Sequence, residues 1–443
     1  MSSDVVASQT MLRWQGRCAE LTAADRRALF ERTAAIDAAV GERTASIVAR
    51  VRQQGDSALR ALANELDGVH LEALEIPRAR WQSALDALPP ALRAALERSA
   101  ANIERVHRAF RPVAQETESE PGIVVGRRPD PLGRVGVYAP GGRAAYPSSV
   151  LMGIVPARVA GVGEIVLCTP PARDTGQPSD VVLAAAALAN ADRVFALGGA
   201  GAIAAMAYGT ESVPRVDRIV GPGNAYVAEA KLQVANVVAI DSPAGPSELL
   251  VVCDESADPT LVAREMLAQA EHDPLAAVVA VTPSPRIADA VVDALAAHLP
   301  AQPRADICRA ALEGQGAVLV ADSLDACVTF ANEYAAEHLL LAVEPLDDVL
   351  ARLRNAGTVF VGASASVAFG DYMTGANHVL PTGGLARSYS GLSTLDFVRW
   401  TTYQRVSVDA AARLSDDVGV FADAERLPGH AYAARAWRSG AAR

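Results

Sequence analysis

The chain has 443 residues, a length that at roughly 150 residues per domain predicts two or three domains. Hydrophobic residues make up 51% of it and charged residues 21%, which is typical of a globular protein with substantial cores. Lysine and arginine number 40 against 51 aspartate and glutamate residues, so the net charge is −11, and this acidic balance argues against binding to nucleic acid.

The first part of the chain predicts helices and no targeting signal. Residues 1–16 lack a basic stretch followed by a long apolar one, so we expect no signal peptide and a cytoplasmic location. Up to about residue 120, apolar residues recur at helical spacing, with a break at Pro89-Pro90. The polar segment 113–122 predicts a loop. Apolar stretches are too short to span a bilayer, so we expect no membrane partner.

From residue 133 onwards, short apolar strands alternate with helices. The first series has strands at 135–138, 164–168, 193–197 and 218–220, with helices at about 150–160 and 179–189, after 201, and from 224 to 234. The second has strands at 248–252, 277–281, 316–320, 338–343 and 358–361, with helices at 259–271, 287–297, 323–332 and 346–353. This alternation predicts an α/β fold with two doubly wound units, each a parallel sheet with helices on both faces.

The last part of the chain is less regular. Residues 362–392 are rich in glycine and serine, and so long a loop in a compact domain is usually functional or disordered. Residues from about 396 to the end predict a small appended unit. The five cysteines contain no CxxC pair, which argues against a zinc ribbon or redox dithiol, and we assign no catalytic thiol.

Glycine-rich turns follow three of the predicted strands, at 139–142, 198–201 and 221–224. Glycine lets the backbone approach a phosphate closely, and the helix that follows offers free N–H groups. None is a complete GxGxxG motif, and each alone is more typical of a structural turn. Three such turns close together favour a dinucleotide site.

Two residue pairs, each containing one histidine, are candidates for a functional site. Gln269 and His272 are three residues apart on the final turn of a predicted helix, so an amide oxygen and an imidazole there could share a metal, although glutamine is an uncommon zinc ligand. Glu337 and His338 are adjacent at the amino end of a predicted strand and could serve two proton transfers. The alternative for this second pair is an exposed pair at an element boundary.

Several blocks of this sequence resemble the histidinol dehydrogenase family, in the family's order, over about residues 130–405. The blocks are GRVGVYAPGG (133–142), IVGPGN (219–224) with EAK (229–231), DSPAGPSE (241–248), AQAEH (268–272), NEYAAEHL (332–339) and NHVLPT (377–382), and the spacing of Glu425 and His430 also fits. Long blocks in combination are highly specific, whereas the first hundred residues match only in character.

The resemblance implies a role for each matching residue. The zinc ligands, for one ion per subunit, would be Gln269, His272, Asp371 and His430. The substrate-contacting residues would be Ser247, Gln269, His272, Glu337, His338, Asp371, Glu425 and His430. Tyr138 and Asn224 would contact NAD, and Glu337 and His338 would be catalytic.

The implied reaction is the four-electron oxidation of L-histidinol through L-histidinaldehyde to L-histidine, the last step of histidine biosynthesis. In it, His338 accepts the hydroxyl proton while hydride passes to NAD. Glu337 then activates water to hydrate the aldehyde. In the second oxidation, His338 again serves as base while a second NAD accepts the hydride. Zinc mainly positions the substrate.

The resemblance also implies an intertwined homodimer of subunits with two Rossmann-like domains and small helical N-terminal and C-terminal appendages. The expected parts are an N-terminal extension (1–30), a first Rossmann-like domain carrying the metal and catalytic residues (31–132 plus 245–391), a second that binds NAD (133–244) and a C-terminal dimerisation piece (392–443). That last piece would supply Glu425 and His430 to the partner's site.

One residue departs from the family pattern. Family members commonly carry glutamine where this chain has Gly201, and that glutamine contacts the cofactor. Glycine has no side chain to make this contact, so we expect weaker NAD binding than in relatives with glutamine. Backbone N–H groups or water could substitute.

Two other functions compete with the implied one. The same scaffold could oxidise another polar alcohol, such as a sulfonated diol, because fold likeness does not fix a substrate. The retained Ser247 and Glu425, together with the predicted metal and catalytic residues, favour histidinol. A catalytically silent nucleotide- or metal-binding protein is disfavoured because Glu337 and His338 are both present.

Overall fold

The computed structural model of the protein describes residues 11–32, 38–141 and 145–438. The chain divides into two compact units. The first unit comprises the described parts of Met1–Phe110 and Gly133–Phe397, and the second comprises Arg111–Leu132 and the described part of Val398–Arg443. Within the described ranges, no helix combines the length and apolar character needed to cross a membrane.

Strands and longer helices follow one another along the described parts of both units. The strands are β1 (Trp14–Arg17), β2 (Gln115–Glu120), β3 (Ile123–Pro131), β4 (Arg134–Tyr138), β5 (Glu164–Thr169), β6 (Arg193–Ala196), β7 (Arg218–Val220), β8 (Ala239–Ile240), β9 (Glu248–Cys253), β10 (Ala277–Thr282), β11 (Gly316–Val320), β12 (His338–Ala342), β13 (Thr358–Val361) and β14 (Val398–Val406). The helices are α1 (Ala23–Phe30), α2 (Ala38–Leu62), α3 (Arg78–Asp86), α4 (Pro90–Ala109), α5 (Pro147–Ala160), α6 (Asp180–Leu188), α7 (Gly199–Tyr208), α8 (Ala225–Val234), α9 (Pro259–Ala270), α10 (Pro285–His298), α11 (Ala305–Gln315), α12 (Leu324–Tyr334), α13 (Leu346–Arg352), α14 (Val367–Tyr372), α15 (Val408–Ala424) and α16 (Pro428–Arg435).

The first unit contains two parallel sheets of the same topology. The five-stranded sheet has the order β6-β5-β4-β7-β8, and the six-stranded sheet has the order β1-β11-β10-β9-β12-β13. Numbered within each series, both read 3-2-1-4-5, which is a doubly wound order, and β1 adds a parallel edge strand to the larger sheet. The predicted α/β class with two doubly wound units is therefore confirmed.

Both faces of the six-stranded sheet are buried. Along β9, Leu249 and Val251 pack into one apolar core, whereas Leu250 and Val252 pack into another. Successive strand side chains point to opposite faces, so a strand covered on both sides needs a continuous apolar run. Residues of α9, α10 and α11 complete the first core, and residues of α12 complete the second. The continuous apolar runs that predicted these strands therefore result from burial of the sheet on both faces.

Three parts of the structure differ from the sequence-based predictions. Residues 14–17, inside the predicted helical segment, form β1, whose pairing with β11 is a long-range contact that local spacing does not reveal. Residues 115–120, predicted as a loop from their polarity, form β2, a strand whose residues are all exposed. The irregular segment 362–392 contains the short helix α14.

The second unit is a three-stranded antiparallel sheet with two helices. β3 is central and pairs with both β2 and β14. Residues 111–132 thus form their sheet with the C-terminal strand, although the predicted division groups them with 31–110. The four-part division into 1–30, 31–132 plus 245–391, 133–244 and 392–443 stays a prediction.

The turn after β7 depends on a glycine. Gly221 has φ +115°, and a Cβ built there would lie 2.1 Å from the carbonyl oxygen of Tyr138, at the end of the neighbouring strand. No side chain fits so close to backbone. The chain leaving β7 can therefore pass beside the end of β4 only with glycine at this position.

We predict that Gly221→Ala lowers the free energy of unfolding by about 4 kcal/mol, at the upper end of single-residue effects, because the methyl group would displace a strand end. Gly68 is the matched control, since it also has positive φ, +70°, but has open space around its Cβ position. Gly68→Ala should cost about 1 kcal/mol, from backbone strain alone. Denaturant unfolding measures both, and equal losses would contradict the steric explanation.

Candidate active site

A cavity of about 1030 Å³ opens at the carboxyl edge of the five-stranded sheet. The last residues of three strands line it, namely Tyr138, Thr169 and Ala196. Parts of all three predicted glycine-rich turns also line it: Pro140 and Gly141, Gly198 to Gly201, and Asn224. Gly142, the last residue of the first turn, lies outside the described residues. The turns thus converge where doubly wound sheets bind ligands.

Tyr138 and Asn224 differ in how they meet this cavity. Tyr138 is buried, its hydroxyl oxygen accepts a hydrogen bond of 3.1 Å from the Gly199 N–H, and burial raises the pKa of its phenol to about 12. Asn224 is exposed and caps α8, with Oδ1 accepting from the N–H groups of Tyr226 and Val227. Capping uses only the amide oxygen of Asn224, so its NH₂ group can donate to a ligand.

A buried ion pair anchors the turn that carries Asn224. Lys231 and Asp241 contact each other and are both nearly inaccessible to solvent. Lys231 donates to the Gly221 carbonyl oxygen at 2.8 Å, and Asp241 accepts from the Gly221 N–H at 2.7 Å. Sequence reasoning gave these two residues no role, and their only signal is their presence in the 229–231 and 241–248 blocks.

A second cluster lies at the amino edge of the six-stranded sheet. Glu248 begins β9 and His338 begins the adjacent parallel strand β12, with His338 opposite Leu249. Between α12 and β12 the chain turns at Ala335, which has φ +51°, a left-handed conformation common after helix ends. Glu337 and His338 therefore occupy the predicted amino end of the strand, but both are buried, so the exposed-pair alternative is excluded.

Hydrogen bonds fix both side chains of the Glu337–His338 pair to the main chain of Glu248. His338 Nδ1 lies 3.0 Å from the Glu248 carbonyl oxygen, and because a carbonyl only accepts, Nδ1 carries the proton. The carboxylate of Glu337 accepts from the Glu248 N–H at 2.7 Å. His338 Nε2 is buried and has no hydrogen-bond partner among the described residues. In the neutral imidazole this atom holds a free lone pair.

The charges of this cluster act strongly on one another. Burial lowers the pKa of His338, but the carboxylates of Glu337 and Asp371 outweigh it and the net pKa is raised. Burial raises the pKa of Glu337. Asp371 Oδ1 lies 3.6 Å from His338 Nε2, and although burial opposes the effect, this imidazole and those of His378 and His272 lower the pKa of Asp371. Positive charge near Asp371 is therefore favoured.

The predicted metal ligands divide between the two units. Asp371 is buried in α14, Gln269 is buried in the last turn of α9, and His272, just beyond that helix, is exposed. His430, in α16, belongs to the second unit and is exposed, as is Glu425 at the end of α15. Among the described residues, no three His, Cys, Asp or Glu side chains form a metal-binding group.

Ser247, His378 and Gly201 also lie in or beside these two clusters. Ser247, half-buried, directly precedes β9, and its carbonyl oxygen accepts from the Ala277 N–H at 3.0 Å. His378, to which sequence reasoning gave no role, has Nδ1 3.0 Å from the Asp371 carbonyl oxygen, and its signal is the 377–382 block. Gly201 lines the cavity, and a Cβ there would make only ordinary contacts with Leu62 and Leu59, at 3.4 and 3.6 Å.

A family model and several relatives all show similarity of this chain to histidinol dehydrogenases. The family model described as histidinol dehydrogenase matches residues 30–438. A histidinol dehydrogenase of Halobacterium salinarum is 52% identical over 379 residues, covering 85% of this chain and 88% of the relative. One of Methanosarcina mazei is 47% identical over 386 residues, covering 87% and 89%.

A solved structure extends this similarity to three dimensions. The crystal structure of histidinol dehydrogenase from Elizabethkingia anophelis superposes with a TM-score of 0.92 at 32% identity, and the match covers 97% of this chain and 98% of that one. Both sheets and both units fall within this coverage. The chain belongs to the histidinol dehydrogenase family.

Proposed function

We propose that this chain oxidises L-histidinol through the aldehyde to L-histidine, with NAD as the electron acceptor. Family membership supports the substrate, and the observation that carries the chemistry is the buried His338 Nε2, which makes no hydrogen bond among the described residues and lies 3.6 Å from Asp371 Oδ1. A positioned imidazole with a free lone pair is suited to accept an alcohol proton. The comparisons give no support to a sulfonated diol as the substrate.

The Glu337–His338 pair would divide the proton transfers. His338 accepts the hydroxyl proton in each oxidation, and its Nδ1–H bond to Glu248 keeps Nε2 directed away from the strand. Glu337, whose pKa is raised by burial, takes a proton from water that adds to the aldehyde. Ser247 and Glu425 would contact the substrate's polar groups.

The chemistry of the proposed donor set is compatible with a zinc ion. Gln269 would supply an amide oxygen, His272 an imidazole and Asp371 a carboxylate, and His430 would complete the set. The carboxyl-terminal end of α9, which carries Gln269 and precedes His272, adds partial negative charge. Bound zinc would orient the substrate and would oppose protonation of His338, because two cations beside Asp371 repel each other.

The cavity at the five-stranded sheet suits NAD. Its volume is sufficient for a dinucleotide, and the partial positive charge at the N-terminus of α8, beside Asn224, favours a phosphate. Tyr138 and Asn224 are the proposed contacts. NAD, when bound, accepts the hydride. Gly201 contributes no polar side chain to the cavity, so weaker NAD binding than in glutamine-containing relatives stays a prediction.

We further propose a homodimer in which Glu425 and His430 act in the partner's site. The second unit exposes large apolar side chains on its helices, with Val420 66%, Phe421 70% and Tyr432 82% accessible. An apolar surface of this kind is typical of an interface. A second copy of this chain is the occupant that the family's intertwined dimer implies.

The role of His338 is tested by His338→Asn. We expect kcat to fall by about 10²- to 10⁴-fold, the usual contribution of a general base, while zinc content stays at one ion per subunit. NADH formation and metal analysis measure the two effects, and His70→Asn, at an exposed histidine, is the control. Turnover near that of the wild type in His338→Asn would contradict the assignment.

Sharing of the site between subunits is tested by complementation. When His338→Asn and His430→Asn chains are co-expressed and pair at random, about half of the dimers should be heterodimers. Each heterodimer would have one intact and one doubly altered site, so about a quarter of wild-type activity should be recovered. Each variant expressed alone is the control and should be inactive. Hybrids as inactive as their parents would place His338 and His430 of each site in the same chain.

A further inference from the structure

A buried arginine is linked to the Glu337–His338 pair through one carboxylate. The Arg32 guanidinium makes a bidentate pair with Glu248, with Nε to Oε1 at 2.9 Å and Nη2 to Oε2 at 3.0 Å. Arg32 Nη2 also donates to the Tyr334 carbonyl oxygen at 2.9 Å, and the guanidinium carbon lies 3.5 Å from the centre of the Tyr334 ring. Both charged side chains are almost wholly buried, with 2% and 3% exposed.

The Glu248 carboxylate joins segments that are distant in sequence. Besides Arg32, it accepts from the Glu337 N–H at 3.3 Å and from the Gly383 N–H at 2.7 Å. The carboxylate thereby ties the start of β9 to the α12–β12 junction and to the loop that follows residue 382. Arg32 binds the same α12–β12 junction three residues before Glu337, at the carbonyl oxygen of Tyr334, which is the last residue of α12.

The main chain of Glu248 is also what holds the reacting groups. Its N–H donates to the Glu337 carboxylate, and its carbonyl oxygen accepts the Nδ1 proton of His338. Any rotation of the peptide units at Glu248 would therefore move both side chains together. The planar fork of arginine can form two parallel hydrogen bonds to a carboxylate and still donate to a carbonyl, whereas the single ammonium nitrogen of lysine cannot form the parallel pair.

We propose that Arg32 and Glu248 are positioning residues for the reaction: their ion pair fixes the main chain that aims Glu337 and His338. The inference rests on the catalytic roles proposed above for those two residues. Arg32 touches neither of them, so its effect is expected on the rate of the chemical steps and not on binding. Displacements near 1 Å at a reacting group typically cost about 10²-fold in rate.

The decisive variants are Arg32→Lys, Arg32→Met, Glu248→Gln and the double variant Arg32→Met/Glu248→Gln. We expect kcat to fall at least about tenfold in all four, with KM for histidinol and NAD and the zinc content within about twofold of wild type, which marks a loss confined to the transition state. Arg32→Lys keeps the charge and is the variant least prone to misfold.

The double variant separates positioning from mere stability. Removing only Arg32 leaves a buried carboxylate without its counter-charge, which destabilises the fold, whereas the double variant leaves no unpaired charge and should recover its melting temperature. We expect kcat to stay low despite that recovery. A double variant that regains both stability and wild-type kcat would show that the pair is structural, and the proposal would be wrong.

Arg193 provides a control with similar contacts in the five-stranded sheet, although 29% of its side chain is exposed against 2% for Arg32. It too forms a bidentate pair with a glutamate, Glu75, donates to one carbonyl oxygen, that of Ser212, and lies over an aromatic ring, that of Phe195. Arg193→Met should lower stability and leave kcat unchanged. If wild-type enzyme fails to oxidise histidinol, the proposed function fails; if it succeeds and Arg32→Lys keeps full kcat, only the positioning role fails.

Discussion

A charged carboxylate cannot be buried at the start of a central strand without partners, and Glu248 obtains them from three parts of the chain. Arg32 neutralises its charge, and two main-chain N–H groups, of Glu337 and Gly383, saturate its oxygens. The cost of desolvating two ions is offset only when their geometry is close to ideal. The active-site edge of the six-stranded sheet is built around this requirement.

The two candidate sites lie at opposite edges of their sheets. The proposed NAD site is at the carboxyl edge of the five-stranded sheet, where strand ends and glycine-rich turns surround the large cavity. The proposed catalytic site is at the amino edge of the six-stranded sheet, where β9 and β12 begin and where α9 and α12 end. Helix amino ends favour a dinucleotide's phosphates and helix carboxyl ends favour a cation, so the same winding provides both electrostatic environments.

The sequence predicted the local elements well and the long-range contacts poorly. Fully buried strands such as β9 and β10 are continuous apolar runs, so their bounds agree with the structure within one residue. β1 and β2 were missed because their pairing partners, not their own spacing, make them strands. The Glu337–His338 pair was found because its two residues are adjacent.

The support of that pair was not predictable in the same way. Arg32 lies 216 residues from Glu248, and Glu248 lies 90 from His338, so no local pattern connects them. Arg32 reads in the sequence as one more charged residue of a helical segment, and only the fold shows that it is buried. The roles proposed for Glu425 and His430 came from the family resemblance and not from a local pattern, because the proposed site would need a second chain to include them.

The central claim is that one site carries out both oxidations of histidinol with the help of a zinc ion. The most direct test is to count NADH formed per L-histidinol consumed, before chelation, after chelation and after zinc is returned. We predict two NADH per histidinol, loss of activity on chelation and recovery with zinc. One NADH per histidinol, or turnover that survives complete removal of the metal, would contradict the account.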